Sequence, residues 1–231
     1  MKPAISVIIP TLNEAESLKR TIGAVKILDE NIEIIVVDGG SRDETQLIAE
    51  NCAVKFLAAA AHGRGIQMRL GANFAQGDIL WFLHADTIAS PETIGQLKNA
   101  LKNTETVGGN FTICFDGNSS AAKFMTWLYP KLRKINLLYG DSAIFVRREI
   151  YEKIGGFKPL PLFEDLEFIR RLRREGKIAN LSAIVTTSSR RFENRSFLLT
   201  FLRWTIFQCL YWLGVSPNRL AKRYYPIRNP K

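Results

Sequence analysis

The sequence predicts an α/β protein with a mostly parallel sheet and helices on both faces, and three observations predict it. Residues 5–9 (Ile-Ser-Val-Ile-Ile), 32–37 and 79–83 are near-continuous apolar runs of strand length, the pattern of strands covered on both sides. Segments of helical spacing alternate with them, with Leu18, Ile22 and Val25 on one face of the first. Polar residues gather just past the strand ends, at Glu14, Asp38 and Asp86, where open α/β sheets bind their ligands.

Taken in order, residues 5–9 form the first strand, which Pro10 stops by removing a donor. A helix follows with Asn13 as cap and with Glu14 and Glu16 in the first turn, where the helix dipole favours acids. Residues 32–37 are the second strand, and Asp38-Gly39-Gly40-Ser41 turns tightly into a helix begun near Asp43. Residues 54–57 make a short third strand, and loop 58–65 carries His62 and Arg64 beside Gly63 and Gly65. Helix 66–75 leads to the fourth strand, 79–83, which runs into His84-Ala85-Asp86-Thr87 ahead of a helix at 91–101.

Beyond that helix strict alternation ends. Residues 107–115 alternate loosely, 121–138 read as a helical run broken at Pro130, and Gly140-Asp141 precedes a strand at 143–146. A short helix reaches Ile154 before the turn Gly155-Gly156-Phe157. Phe163-Glu164-Asp165 opens a helix with Leu166, Ile169 and Leu172 inward and Arg170, Arg171, Arg173 and Arg174 outward, ending at Gly176. Residues 184–187 are the last predicted strand.

The 231 residues suit one domain with a sizeable core, without repeats or disorder. The first residues lack the features of a signal peptide, so the expected location is the cytoplasm. Cys52, Cys114 and Cys209 are far apart and in apolar settings, which favours reduced core thiols over a disulfide framework or a metal site. The net charge of +10 is unevenly placed: residues 190–231 carry nine Lys/Arg against Glu193 alone, whereas the first 189 hold 23 positive and 21 negative side chains. A basic tail beside a balanced domain points to an anionic partner, a membrane surface or nucleic acid. Within the tail, residues 197–215 are mostly apolar, with Phe201, Trp204, Phe207 and Tyr211 at helical spacing, but Arg203 and Gln208 interrupt them. An arginine at the middle of a membrane helix costs roughly 2.5–3.5 kcal/mol. Three placements stay open: a membrane span, a helix lying in the membrane interface, and a helix docked on the domain or on a second subunit.

Glu14, Asp38 and Asp86 fall along one sheet edge and, with Arg64, are expected to line a single cleft. Carboxylates this close raise one another's pKa unless a cation intervenes, and a divalent metal arriving with a substrate phosphate is one such cation. His84 and Asp86, two residues apart on an extended chain, point to the same side and could meet on one ligand. The plainer alternative makes Asp86, Thr87 or Ser90 the cap of the helix at Pro91. A dinucleotide oxidoreductase wants G-x-G-x-x-G after the first strand, and residues 10–15 contain no glycine. An aspartyl phosphatase wants a nucleophilic Asp where His84 stands.

Four stretches together resemble the inverting family-2 glycosyltransferases of the GT-A fold: residues 6–14 (Ser-Val-Ile-Ile-Pro-Thr-Leu-Asn-Glu), 36–45 (Val-Val-Asp-Gly-Gly-Ser-Arg-Asp-Glu-Thr), His84-Ala85-Asp86-Thr87 and Phe163-Glu164-Asp165. Gly63-Arg64, residues 82–87, Gly140-Asp141, residues 144–148 and Ser189-Arg190-Arg191 are further similar to the bacterial subgroup associated with arsenosugar biosynthesis. The resemblance implies a GT-A nucleotide-diphospho-sugar transferase fold with a Rossmann-like sheet. Its catalytic domain would span 1–195, as a nucleotide-sugar-binding half (1–115) and an acceptor half (116–195), followed by a basic, aromatic-rich amphipathic helix and tail over 196–231. It implies a cytoplasmic enzyme, peripheral on the inner membrane face in one reading. That enzyme would move a sugar from a nucleotide-diphosphate donor, UDP-linked, to a hydroxyl of a small molecule or lipid with inversion. A homodimer is allowed, and nucleic acid is not an expected partner.

Residue by residue, the resemblance implies that Asp38 reads the base and that Thr11 and Glu14 line the nucleoside pocket. Asp86 matches the last Asp of the family's Asp-x-Asp motif and would hold Mg²⁺ or Mn²⁺. His84 stands where the first Asp is usual and is a second candidate for ribose or metal. Arg64, Arg190 and Arg191 would neutralise the diphosphate, with Gly140, Asp141 and Glu164 on the acceptor side. Asp165 matches the catalytic base, and a helix N-cap is its plainer use. The alternative for the whole chain is a catalytically degenerate nucleotide-binding protein acting as a membrane-associated binding module.

Overall fold

The apolar runs of the N-terminal half lie side by side. In the computed structural model, which describes residues 3–134, 137–190 and 196–228 (225–228 as backbone), β1 (Ile5–Thr11) sits between β2 (Glu33–Asp38) and β4 (Ile79–Phe82). β3 (Lys55–Ala58) follows β2, and all four run parallel. Parallel neighbours need crossovers, which α1 (Ala15–Leu28), α2 (Thr45–Asn51) and α3 (Arg64–Phe74) provide. The register sets Thr11 opposite Asp38 and Asp38 opposite Ala58, so the carboxyl ends form one edge. Side chains alternate between two core layers, as the pleat requires. Val7, Ile9, Val36 and Trp81 pack beneath α1 and α4 (Glu92–Ala100), whereas Ile8, Ile35, Val37 and Phe82 pack beneath α3 and α7 (Glu164–Leu172).

The sheet continues with β7 (Phe145–Arg147), β6 (Thr106–Phe115), β8 (Lys177–Thr187) and β5 (Thr87–Ala89), in the order β3-β2-β1-β4-β7-β6-β8-β5. β7 is antiparallel to both neighbours, β6 and β8 are parallel, and β5 closes the edge antiparallel to β8. A mostly parallel mixed sheet with helices on both faces is the α/β class expected.

Several local expectations are corrected. Asn13 does not cap α1: it has φ 55°, and its Oδ1 accepts the Arg42 N–H at 2.9 Å, while Asp43 accepts the Ala15 N–H at 3.1 Å. β4 ends at Phe82 and the chain turns, with Thr87 N–H bonded to the His84 carbonyl at 3.2 Å, so Thr87–Ala89 becomes β5 and no side chain caps α4. α5 (Ser120–Lys134) continues through Pro130. An interior proline costs about 3 kcal/mol, but buried Ala122 and Met125 precede it, and Arg133 beyond it donates to Thr112 Oγ1 (2.7 Å) and the Leu181 carbonyl (3.0 Å). In α7 it is Phe168, Ile169 and Leu172 that are buried, with Leu166 only half-buried. Arg171 turns inward, bonded to Glu167 and to the carbonyls of Ile154 and Gly156. β8 is much longer than residues 184–187, because its first half is polar on the exposed side.

The tail folds as α8 (Phe197–Trp212), where the Ser196 side chain accepts the Leu199 N–H, and an unforeseen α9 (Pro217–Arg228) anchored by buried Leu220 and Ala221. Among the described residues no helix is long and apolar enough to cross a membrane, which removes the spanning placement for α8. Its inner face docks on the domain: Phe201 and Trp204 pack against the core, and Tyr211 stacks on Phe163 at 4.6 Å. Cys209 is exposed on the outer side, so it is not a core thiol.

Candidate active site

At their carboxyl ends, β1 and β2 present Thr11 and Asp38 side by side, and Thr11 Oγ1 donates to Asp38 Oδ1 at 3.3 Å. The Asp38 carboxylate also accepts the Gly40 and Ser41 N–H groups (2.9 and 2.8 Å) and the Ser41 hydroxyl (2.5 Å). A carboxylate has about four lone-pair positions, and Asp38 holds the glycine turn with three of these hydrogen bonds and Thr11 with the fourth. Gly40, at φ +94°, leaves room for His62, which donates from Nδ1 to the Gly39 carbonyl. Gln67, buried in α3, donates to the carbonyls of Thr11 (2.7 Å) and Val37 (2.8 Å) and ties the two strand ends together.

Glu14 and Asp86 are joined by one cation. Arg190, just beyond β8, donates to Glu14 and to Asp86 Oδ2 (3.3 Å), and Asp86 Oδ1 accepts from Thr187 at 3.4 Å. The hydrogen bond to Glu14, against burial, raises the Arg190 pKa and holds the guanidinium charged. Arg191 lies outside the described residues.

The second cluster surrounds Asp165 at the N-terminus of α7. Glu164 and Asp165 are 3% and 6% exposed. Asp165 Oδ2 accepts the Gly140 N–H at 2.6 Å and Oδ1 the Leu166 N–H at 2.8 Å. A Cβ on Gly140 would stand 3.3 Å from that same Oδ2, so the close approach belongs to glycine. Arg64 reaches in from the start of α3, with Nε 2.5 Å from Glu164 Oε1, NH2 3.9 Å from Asp165 and NH1 4.0 Å from Asp141. His84 completes the group, with Nδ1 3.1 Å from Asp141 and Nε2 3.3 Å from Arg64 NH1. A guanidinium only donates, so Nε2 faces it as acceptor and Nδ1 carries the proton toward Asp141.

Burial and the Glu164 charge raise the Asp165 pKa above its ordinary value, opposed by Arg64 and by the two backbone N–H groups. Burial works against the Arg64 charge, but Glu164, Asp165 and Asp141 outweigh it and hold the guanidinium ionised. Tyr139, beside Gly140, is pushed up to about 12 by burial and by Asp165, and stays a neutral phenol. Phe163, before the acidic pair, sits in the left-handed region (φ 61°), backbone strain of the kind that clusters at working sites.

The residues expected in one cleft thus divide between two networks. Thr11 with Asp38, and Glu14 with Asp86 and Arg190, occupy the strand-end side; His84, Gly140, Asp141, Glu164 and Asp165 gather around Arg64. Arg64 therefore stands with the acidic pair of α7 and not with Glu14 and Asp38. The side chains of His84 and Asp86 part because the strand ends at Phe82, and alternation no longer governs them. Nothing in the residue pattern marks Gln67 or Thr187, whose roles depend on distant partners.

For a divalent ion, the residues fit through Asp86. Among the described residues no group of three or more His, Cys, Asp or Glu side chains is placed to hold a metal. Mg²⁺, however, is commonly held by one or two carboxylates together with substrate phosphates, and among the described residues Asp86 is engaged by Arg190 and Thr187, which a competing ligand can displace. Both ring nitrogens of His84 are engaged, so a metal role for it requires release from Asp141 or Arg64.

The mostly parallel mixed sheet with helices on both faces is a GT-A-like fold. A glycosyl transferase family 2 model matches residues 6–155, and the chain belongs to that family. An undecaprenyl-phosphate 4-deoxy-4-formamido-L-arabinose transferase of Photorhabdus laumondii is 35% identical over 231 residues, covering 94% of this chain and 70% of that protein. An uncharacterized glycosyltransferase of Mycobacterium tuberculosis is 30% identical over 179 residues, 73% of this chain and 68% of its own. Among solved structures, a fragment of S. aureus TarS superposes with a TM-score of 0.66 at 18% identity, covering 82% of this chain and 61% of that one. Glucosyl-3-phosphoglycerate synthase of Mycobacterium tuberculosis, crystallised with Mn²⁺ and UDP-glucose, gives 0.58 at 21% identity, covering 79% and 70%. At such identities these two report the fold alone.

Proposed function

We propose that the chain transfers a sugar from a nucleotide-diphosphate donor, UDP-linked, to a hydroxyl acceptor with inversion, and that Asp165 is the general base. The observation that carries this is the placement of Asp165 at the start of α7: buried, raised in pKa, oriented by the Gly140 N–H and faced by Arg64. A base held this way takes the proton of the acceptor hydroxyl as its oxygen bonds to the anomeric carbon. The bond from that carbon to the diphosphate oxygen breaks on the opposite face, and its electron pair leaves with the nucleoside diphosphate. One displacement inverts the configuration.

In this reading Thr11, Glu14 and Asp38 receive the nucleoside, while Arg64, Arg190 and Arg191 take up the charge of the leaving diphosphate. Asp86 would hold Mg²⁺ or Mn²⁺, which supplies further neutralisation of that charge. The UDP reading is supported by the UDP-glucose and Mn²⁺ named for the M. tuberculosis synthase, and a lipid-borne acceptor by the undecaprenyl phosphate named for the P. laumondii transferase. A small-molecule acceptor, kinship with the arsenosugar subgroup and a cytoplasmic location belong to the same proposal. A thermal-shift screen of nucleotide sugars with and without Mn²⁺ tests the donor; no stabilisation by any of them refutes it. The binding-module alternative predicts no donor turnover in any form of the chain, whereas the enzyme reading predicts turnover that is lost in Asp165→Asn and kept in Arg223→Ala.

A further inference from the structure

The outer side of the C-terminal layer is built unlike the rest of the surface. Helices α5, α8 and α9 together carry nine Lys/Arg and no Asp or Glu. Phe124 of α5 meets Phe197 and Phe201 of α8 edge-on, each at 5.8 Å, and Phe207 of α8 meets Tyr224 of α9 at 5.7 Å, so the three helices form one layer. While α8 turns Phe201, Trp204, Gln208 and Tyr211 toward the domain, its opposite face presents Leu198, Leu199, Leu202, Ile206 and Leu213, between 47% and 81% exposed. These five residues fall on one side of the helix at a spacing of 3.6 residues per turn. Trp127 of α5 adds an exposed indole, with Lys131 Nζ 2.8 Å from its ring centre. Exposed Lys123, Lys131 and Lys134 on α5 and Arg219, Lys222 and Arg223 on α9 flank the apolar ridge.

We propose that this layer is a membrane-docking face, which lays the outer side of α8 in the interface of an anionic lipid leaflet. A helix apolar on all sides is covered on all sides in its working state, and an aliphatic ridge edged by tryptophan and lysine is the composition that inserts among lipid head groups. Charge selects the occupant. A second copy seated on this ridge would bring two carboxylate-free, cationic layers together, whereas an anionic leaflet complements them.

The inference rests on the transferase reading for its consequence and deepens it. The inner side of α8 touches the holders of the base: Tyr211 stacks on Phe163, two residues before Asp165, and Tyr139, whose hydroxyl lies 3.5 Å from Gln208, precedes Gly140. A helix is about 10 Å across, so the acceptor side of the cleft stands within about one helix of the lipid surface. An acceptor carried by that surface reaches Asp165 without leaving it.

The test is cosedimentation of the full chain with phosphatidylcholine vesicles, with and without phosphatidylglycerol, at low and high salt. The expected result is pelleting with the anionic vesicles, weakened by salt and reduced roughly tenfold or more in Leu202→Glu/Ile206→Glu. A second variant, Lys222→Gln/Arg223→Gln, removes no apolar contact and should lose the salt-sensitive part alone. Nucleotide-sugar binding by thermal shift is read on the same proteins, so a failed donor assignment shows itself separately from failed docking. Absence of pelleting overturns the proposal, as does a dimer in sedimentation velocity that Leu202→Glu/Ile206→Glu dissociates.

Discussion

Arg64 is the cation on which the base cluster depends, and Arg64→Met tests that dependence with little loss of volume. Its NH2 lies 3.9 Å from Asp165 Oδ2, and at an effective dielectric of about 20 a charge pair at that distance is worth about 4 kcal/mol. The Arg64 side chain is 35% exposed, so solvent screens the pair, and about a third of that figure, roughly 1.4 kcal/mol or one pKa unit, is the expected share. Removing the cation raises the pKa of a carboxylate that burial and Glu164 already hold above 3.8. The acid limb of the kcat–pH profile, read by donor turnover, therefore moves about one unit toward higher pH. Stability follows the same sign. A carboxyl with a raised folded pKa keeps its proton in the fold through a window where the unfolded chain has lost it, so its contribution to stability falls as pH rises across that window. Arg64→Met extends the window upward, and urea titration should find the variant destabilised by about 2 kcal/mol near pH 8 and by clearly less near pH 5. An acid limb that superposes on that of the unmodified chain would refute the pairing of Arg64 with the titrating base.

Asp165→Asn keeps an acceptor for the Gly140 N–H while removing a buried charge beside Glu164, so turnover should fall about 10²–10⁴-fold with Tm unchanged or raised; retention of a tenth of the activity or more excludes Asp165 as base. Gly140→Ala places a methyl 3.3 Å from Asp165 Oδ2 and 3.5 Å from His84 Nε2, and should lower kcat roughly tenfold with donor KM unchanged, a split that steady-state kinetics reads directly. Arg190→Met frees Glu14 and Asp86 of their shared cation and should weaken UDP binding roughly tenfold or more by calorimetry, with an unaltered isotherm as the contrary result. His84→Asp sets a carboxylate against Asp141 in place of a donor and should lower stability by about 1–2 kcal/mol. A higher Tm for that variant would show that the ring is not Asp141's donor.

The N-terminal half was legible because both faces of its strands are buried. Burial on both faces forces apolar side chains at successive positions, as in Ile34–Val37 and Leu80–Phe82, and such runs stand out against the helices between them. Asp38 could be placed for the same reason, since it ends a strand whose limits are sharp. The second half hides its strands: β8 alternates exposed and half-buried residues over most of its length, and β5 is three residues in what reads as a loop. The site residues were legible one at a time, whereas their partnerships were not. Arg64 and Glu164 are 100 residues apart, and Arg190 and Glu14 are 176 apart. No periodicity spans such distances, so the sequence neighbours of Arg64 point to the carboxylates of the strand ends and not to those that α7 brings over.

The departure at His84 then has an electrostatic explanation in the fold. Asp141, Glu164 and Asp165 converge on Arg64, three buried acids around one guanidinium. An aspartate at position 84 would make four, and buried carboxylates without a matching cation repel one another and take up protons. A base that must be ionised to act cannot tolerate that. The imidazole removes one negative charge from the cluster, donates to Asp141 through Nδ1 and accepts from Arg64 through Nε2, which keeps the guanidinium directed at the acidic pair. Asp86 is carried to the other network by the turn after Phe82, where it meets Arg190 and Thr187. The histidine and the separation of the two networks are therefore one feature: Arg64 is matched to Asp141, Glu164 and Asp165, while Arg190 is matched to Glu14 and Asp86.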